Sequence, residues 1–101
     1  MYAQIDQTLF EWAGTHSLAV TTRYREEEVR SIEWTSAAGQ RFQLWIEPPA
    51  SPTSPFFRVR AWDFDHNSVD IPITPSNFIA ALDQALSAIQ QWIAEGDLEM
   101  R

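Results

Sequence analysis

The chain has 101 residues, no cysteine, 45% hydrophobic and 13% aromatic content, and a formal net charge of −7. The missing cysteine excludes disulfides, thiolate metal sites and cysteine nucleophiles, and aromatic and β-branched residues running through nearly every segment exclude a disordered chain. The negative charge argues against a polyanionic partner.

The length is that of one domain, expected to span residues 1–101 with its last five residues frayed. At this size roughly two-thirds of the unfolded surface is buried, which supports one core without metal or disulfide. The start, Met1-Tyr2-Ala3-Gln4-Ile5-Asp6, has neither a basic segment nor an apolar run of the signal-peptide kind. No window approaches the roughly 20 apolar residues of a membrane helix. A cytoplasmic location is expected.

Residues 2–13 repeat apolar side chains at helical spacing through Tyr2, Ile5, Leu9, Trp12 and Ala13, and Gly14 is expected to stop that helix in a left-handed conformation. The next segments alternate with period two. In 17–25, Leu18, Val20, Thr22 and Tyr24 point one way, and Ala19, Thr21, Arg23 and Arg25 the other. In 28–35, Ile32 and Trp34 point inward, with Val29, Ser31 and Glu33 outward. A glycine-bearing hairpin loop, 36–40, leads to 41–47, where Phe42, Leu44 and Ile46 are inward and Arg41, Gln43, Trp45 and Glu47 outward.

Four prolines between 48 and 55 can neither donate to a ladder nor continue a helix, so this stretch reads as a rigid connection. Its Pro-x-x-Pro spacings, Pro49 to Pro52 and Pro52 to Pro55, carry no flanking charge of the kind a docking motif uses. A fourth strand follows at 56–64, with Phe57, Val59 and Ala61 on one side and Phe56, Arg58, Arg60, Trp62 and Phe64 on the other. Residues 69–73 form at most a short extended edge. Thr74-Pro75 starts a helix over 75–95, with Phe78, Leu82, Leu86, Ile89 and Ile93 on one stripe and Gly96 as its expected end.

This order predicts an α+β two-layer sandwich: a four-stranded antiparallel meander with an N-terminal and a C-terminal helix packed on one face. A one-residue slip would exchange the faces of a strand, and the risk is greatest at 56–64, where both sides carry apolar bulk.

Catalytic patterns are weak. Asp63-Phe64-Asp65-His66-Asn67-Ser68-Val69-Asp70 gathers oxygen ligands and an imidazole, and begins like a calcium-binding loop. Its sixth position is Ser68 where that loop needs glycine, and its twelfth is Thr74, which has no carboxylate. A turn after a strand is rich in Asp and Asn for its own reasons. No nucleophile elbow, His-Glu-x-x-His pair or phosphate loop occurs. No cofactor, metal or catalytic residue is therefore assigned.

The remaining feature is the sheet face away from the helices. There the pattern places Arg23, Arg25, Arg41, Trp45, Arg58, Arg60 and Trp62 together, and tryptophan and arginine are the residues most often found as interface anchors. The alternative is that Arg23, Arg25 and Arg60 pair across strands with Glu33, Glu47 and their neighbours. The function expected is a small, acidic, non-enzymatic protein-interaction module, acting as homodimer, adaptor or inhibitor through this Arg/Trp face. Two other readings stand beside it: a stacking platform for single-stranded nucleic acid, opposed by the charge and the absence of lysine, and a small hydrolase or lyase using Asp63, Asp65 and His66.

Overall fold

Five antiparallel strands run in simple meander order, each hydrogen-bonded to the next in sequence. The computed structural model describes residues 2–48 and 57–99, with side chains as far as residue 96. The elements are α1 (Asp6–Thr15), β1 (Thr21–Tyr24), β2 (Glu27–Thr35), β3 (Arg41–Glu47), β4 (Phe57–Trp62), β5 (Ser68–Ile73), a 3-10 turn (Pro75–Asn77) and α2 (Phe78–Glu99). The α+β class, the antiparallel meander and the two terminal helices match the sequence expectation, and the strand count corrects it from four to five. The proline-rich connection, from Pro49 onward, lies outside the described residues.

The extra strand is β5. Its Ile71 and Ile73 pair with Val59 and Phe57, and Asp70 with Arg60. Pro72 suggests a loop when read alone, because it cannot donate to a ladder. At the edge of a sheet its nitrogen can face away from the only neighbour, which is where strand prolines occur.

The inner face is apolar because alternate residues of β2 to β4 are apolar. Ile32, Phe42, Leu44, Ile46, Phe57, Val59 and Ala61 are all buried there. Leu9, Trp12 and Ala13 of α1, and Phe78, Ala81, Leu82, Ala85 and Ile89 of α2, close the same core. The leucine, isoleucine, valine and phenylalanine side chains among them each contribute about 1.5–3 kcal/mol of transfer free energy when fully buried. The long helix lies over β4 and β5 and touches β3.

Helix ends depart from the glycine rule. Gly14 lies inside α1, and the left-handed residue is Ser17 (φ 58°), where the Leu18 N–H turns back to the Ala13 carbonyl at 2.8 Å. Gly96 likewise does not end α2, whose backbone continues to Glu99, into the segment expected to fray. At this point the side chain of Gln40, from the β2–β3 loop, occupies the space that a Cβ would take. A glycine in a helix costs roughly 1 kcal/mol against alanine, which a long amphipathic helix tolerates. At the start of α1, Tyr2 and Ile5 form a turn, and both are buried. The Thr74-Pro75 signal does start a helical segment, but Pro75–Asn77 is a 3-10 turn and the α-helix begins at Phe78, later than expected. Asn77 Oδ1 accepts the Thr74 N–H at 2.7 Å in a reciprocal capping box.

One charged residue lies under α1. Arg30 has the inward parity of Ile32, and its guanidinium is nearly buried. It donates to Asp6 Oδ1 at 2.7 Å, Asp6 Oδ2 at 3.0 Å, Glu28 Oε1 at 2.9 Å and the Val29 carbonyl at 2.7 Å. It also stacks 4.5 Å from the centre of the Tyr2 ring. The Asp6 hydrogen bond, opposed by burial, holds the guanidinium above its ordinary pKa. Burial pushes the Tyr2 phenol upward, against the opposing effect of the Arg30 charge. Among the described residues no helix is long and apolar enough to cross a membrane.

Candidate interaction surface

The face of the sheet opposite the helices is built from the polar half of each alternating strand. Across it run the pairs Ser31 with Trp45, Glu33 with Gln43, Trp45 with Arg60, Gln43 with Trp62, and Glu47 with Arg58. Five of the seven arginines and tryptophans expected there, Arg41, Trp45, Arg58, Arg60 and Trp62, occupy this face.

Arg23 and Arg25 do not follow the simple alternation. The register shifts between Thr21 and Arg23: Thr21 faces Ser31 while Arg23 faces Glu28 and Tyr24 faces Glu27, so Thr22 opposes both Val29 and Arg30 and the extra residue lies in β2. Arg23 is thereby moved to the parity of Arg30 and Glu28, and Tyr24 joins the outer face. Bulges insert one unpaired residue and reverse the alternation beyond it. The irregularity therefore falls in the β1–β2 pairing, while Phe57–Trp62 pairs with both neighbours in unbroken register. Arg25 lies in the β1–β2 turn, its guanidinium 5.2 Å from the Tyr24 ring centre.

A concavity of about 410 Å³ opens on this face, lined by Thr21, Tyr24, Ser31, Glu33, Arg41, Gln43, Trp45 and Phe64. Ser31 is buried at its floor, while Tyr24 and Phe64 are large apolar side chains left in solvent, 57% and 36% exposed. Phe64 lies beyond the end of β4 with φ 63°, a conformation that turns its ring back across the sheet. It meets Trp62 with ring centres 4.5 Å apart, and Arg41 caps its other contact at 4.6 Å from the ring centre.

Polar groups on the face are largely matched to each other. The Trp62 indole N–H donates to Gln43 Oε1 at 2.7 Å, and Gln43 Nε2 donates to Glu33 Oε1 at 3.1 Å. Arg58 lies 3.7 Å from Glu47, and Arg60 lies 3.6 Å from Asp70, with the side chains of both pairs roughly half exposed. Such open pairs contribute about 0–1 kcal/mol each. Of the cross-strand pairings expected for Arg23, Arg25 and Arg60, the one at Arg60 exists, with Asp70 as partner, and Arg58 pairs with Glu47 in the same way.

The acidic turn after β4 is organised by one side chain. Asp63 Oδ1 accepts the N–H groups of Asp65 and Asn67 at 2.9 and 3.1 Å, and Asp63 Oδ2 accepts from Asn67 Nδ2 at 3.0 Å. These contacts make it a turn-forming residue. His66 stands in solvent 3.3 Å from Asp65. No group of three or more His, Asp or Glu side chains among the described residues is placed to hold a metal ion.

Tyr24, Phe64 and the buried Ser31 were not singled out by sequence pattern. A signal existed for Phe64 in its outward position after Trp62, whereas the bulge that turns Tyr24 has no local marker. Compared with known proteins, the chain matches no family model, no curated sequence and no solved structure.

Proposed function

We propose that this chain is a non-enzymatic protein-interaction module that binds through the outer face of its sheet, with the concavity between Tyr24, Trp45, Phe64 and Arg41 at its centre. The observation that carries the reading is the exposure of Tyr24 and Phe64 around a recess floored by a half-buried tryptophan on a polar sheet. Aromatic rings left in water beside a concave surface are the usual mark of a covered site, and Trp, Tyr and Arg dominate binding energy where they are desolvated.

Hydroxyl-radical footprinting tests this. In extract of the source cells, Tyr24, Trp45 and Phe64 should be protected relative to dilute purified protein, while Phe10, exposed on α1, should label equally in both. Equal labelling of all four in both samples overturns the reading.

A further inference from the structure

We infer that the occupant of the outer face is a second copy of this chain, joined face to face about a two-fold axis; the inference rests on the reading above and names its partner. Charge distribution selects that partner. Arg41, Arg58 and Arg60 stand on this face beside Glu33, Glu47 and Asp70, and at the hairpin end Arg25, lying over Tyr24, accompanies Glu27. With Glu26 of the same turn counted, four positive charges meet five negative ones, so nearly all of the formal −7 of the chain belongs to the remaining surface.

A basic partner would be drawn to that remaining surface, and an acidic one repelled on approach. The nearly neutral face is where two equally acidic bodies can meet with the least opposition of like charges. Its alternation of signs is also self-complementary, as an isologous contact requires. The half-exposed pairs Arg58–Glu47 and Arg60–Asp70 can exchange partners across the axis without burying an unpaired charge.

Area sets the strength. Five strands about 4.8 Å apart and about six residues long at 3.3 Å each give a face of roughly 24 by 20 Å. That falls below the roughly 800 Å² per partner of a standard interface, so the dimer is a weak one. Its salt dependence has a definite sign. Net repulsion between two acidic bodies is screened as salt rises, so association strengthens, whereas binding driven by opposite net charges weakens.

Sedimentation equilibrium on the full chain, from about 1 to 500 μM at low and high salt, reads this directly. The expected result is a reversible dimer that tightens with salt. Tyr24→Glu, which adds charge at an exposed rim position on an edge strand, weakens it by about tenfold or more, while Phe10→Glu on the helical layer leaves it unchanged. Circular dichroism of both variants checks that each is folded. A monomer across the whole range overturns the second copy as occupant, and so does a dimer that survives Tyr24→Glu and is lost in Phe10→Glu. A monomer whose outer face is nevertheless protected in cell extract overturns this inference alone and leaves the interaction surface in place for a different protein.

Discussion

Asp6 and Arg30 meet in a two-pronged contact, Nε to Oδ1 at 2.7 Å and Nη2 to Oδ2 at 3.0 Å, that fastens the first turn of α1 to β2. The Arg30 side chain is 9% exposed and the Asp6 side chain 30%. Removing Asp6 leaves a nearly buried guanidinium short of a partner, whereas removing Arg30 leaves a carboxylate that is partly open to water, so the first loss costs more. Asp6→Ala should therefore lower stability by about 1–3 kcal/mol, scaled down from a fully buried pair because Asp6 is partly open. Arg30→Met should cost less than Asp6→Ala. Urea unfolding of the two variants gives the order, and the reverse order would show that the guanidinium acts mainly through Glu28 and Tyr2.

Tyr2 lies beneath that pair, and its phenol donates weakly to the Ile46 carbonyl at 3.4 Å. Burial raises its pKa above the usual tyrosine value, so the folded chain holds this proton to higher pH than the unfolded chain does. The sign follows by linkage: the contribution is complete below about pH 10 and is lost as pH rises through the folded-state value. The urea midpoint should be level from about pH 8 to 9.5 and fall above 10, and Tyr2→Phe should make that fall shallower. An unchanged slope in Tyr2→Phe would place the alkaline transition elsewhere.

The glycines separate by their surroundings. Gly14 is helical, and a Cβ there meets nothing within 4 Å, whereas Gly39 has φ +88° in the β2–β3 hairpin. Gly14→Ala should raise stability by about 0.5–1 kcal/mol through helix propensity and a less flexible unfolded chain. Gly39→Ala should lower it by about 1 kcal/mol or more, because an L side chain is strained at that angle. Thermal unfolding of both variants shows the contrast; destabilisation by Gly14→Ala would mean that α1 stops where its glycine is.

The β1–β2 turn has positive φ at both central residues, 51° at Arg25 and 71° at Glu26. This is the backbone of the tight hairpin turn that favours Asn-Gly, occupied here by two long side chains. Arg25→Asn with Glu26→Gly should raise the thermal midpoint, with a gain of about 1 kcal/mol after the extra freedom of glycine in the unfolded chain is offset. If the Arg25 guanidinium over Tyr24 matters more than the strain, the double variant will be less stable and Glu26→Gly alone more stable.

Legibility in the sequence divides along a physical line. Period-two alternation over 41–47 and at Phe57, Val59 and Ala61 names the inner faces correctly, because a strand buried on one side must alternate. In 28–35, by contrast, Val29, expected outward, is buried along with Arg30, Ser31 and Ile32. Thr74-Pro75 marks the start of the final helical segment, because capping is a contact within four residues. The arginines and tryptophans of β3 and β4 share an outer face for the same reason, so most of the candidate surface is local pattern.

What the sequence determined, then, was the class of fold, the antiparallel order and most of the inner and outer faces, all of which depend on neighbours along the chain. Only tertiary structure decided the rest. Pro72 is admitted to a strand because β5 happens to be an edge, and Tyr24 is turned to the concavity by a bulge that exists only in pairing with β2. Arg30 can lie on the inner face because Asp6 and Glu28 meet it there, and Gly96 continues a helix against Gln40. Each of these is a choice between local preferences of about 1 kcal/mol, and contacts with distant parts of the chain are large enough to override them.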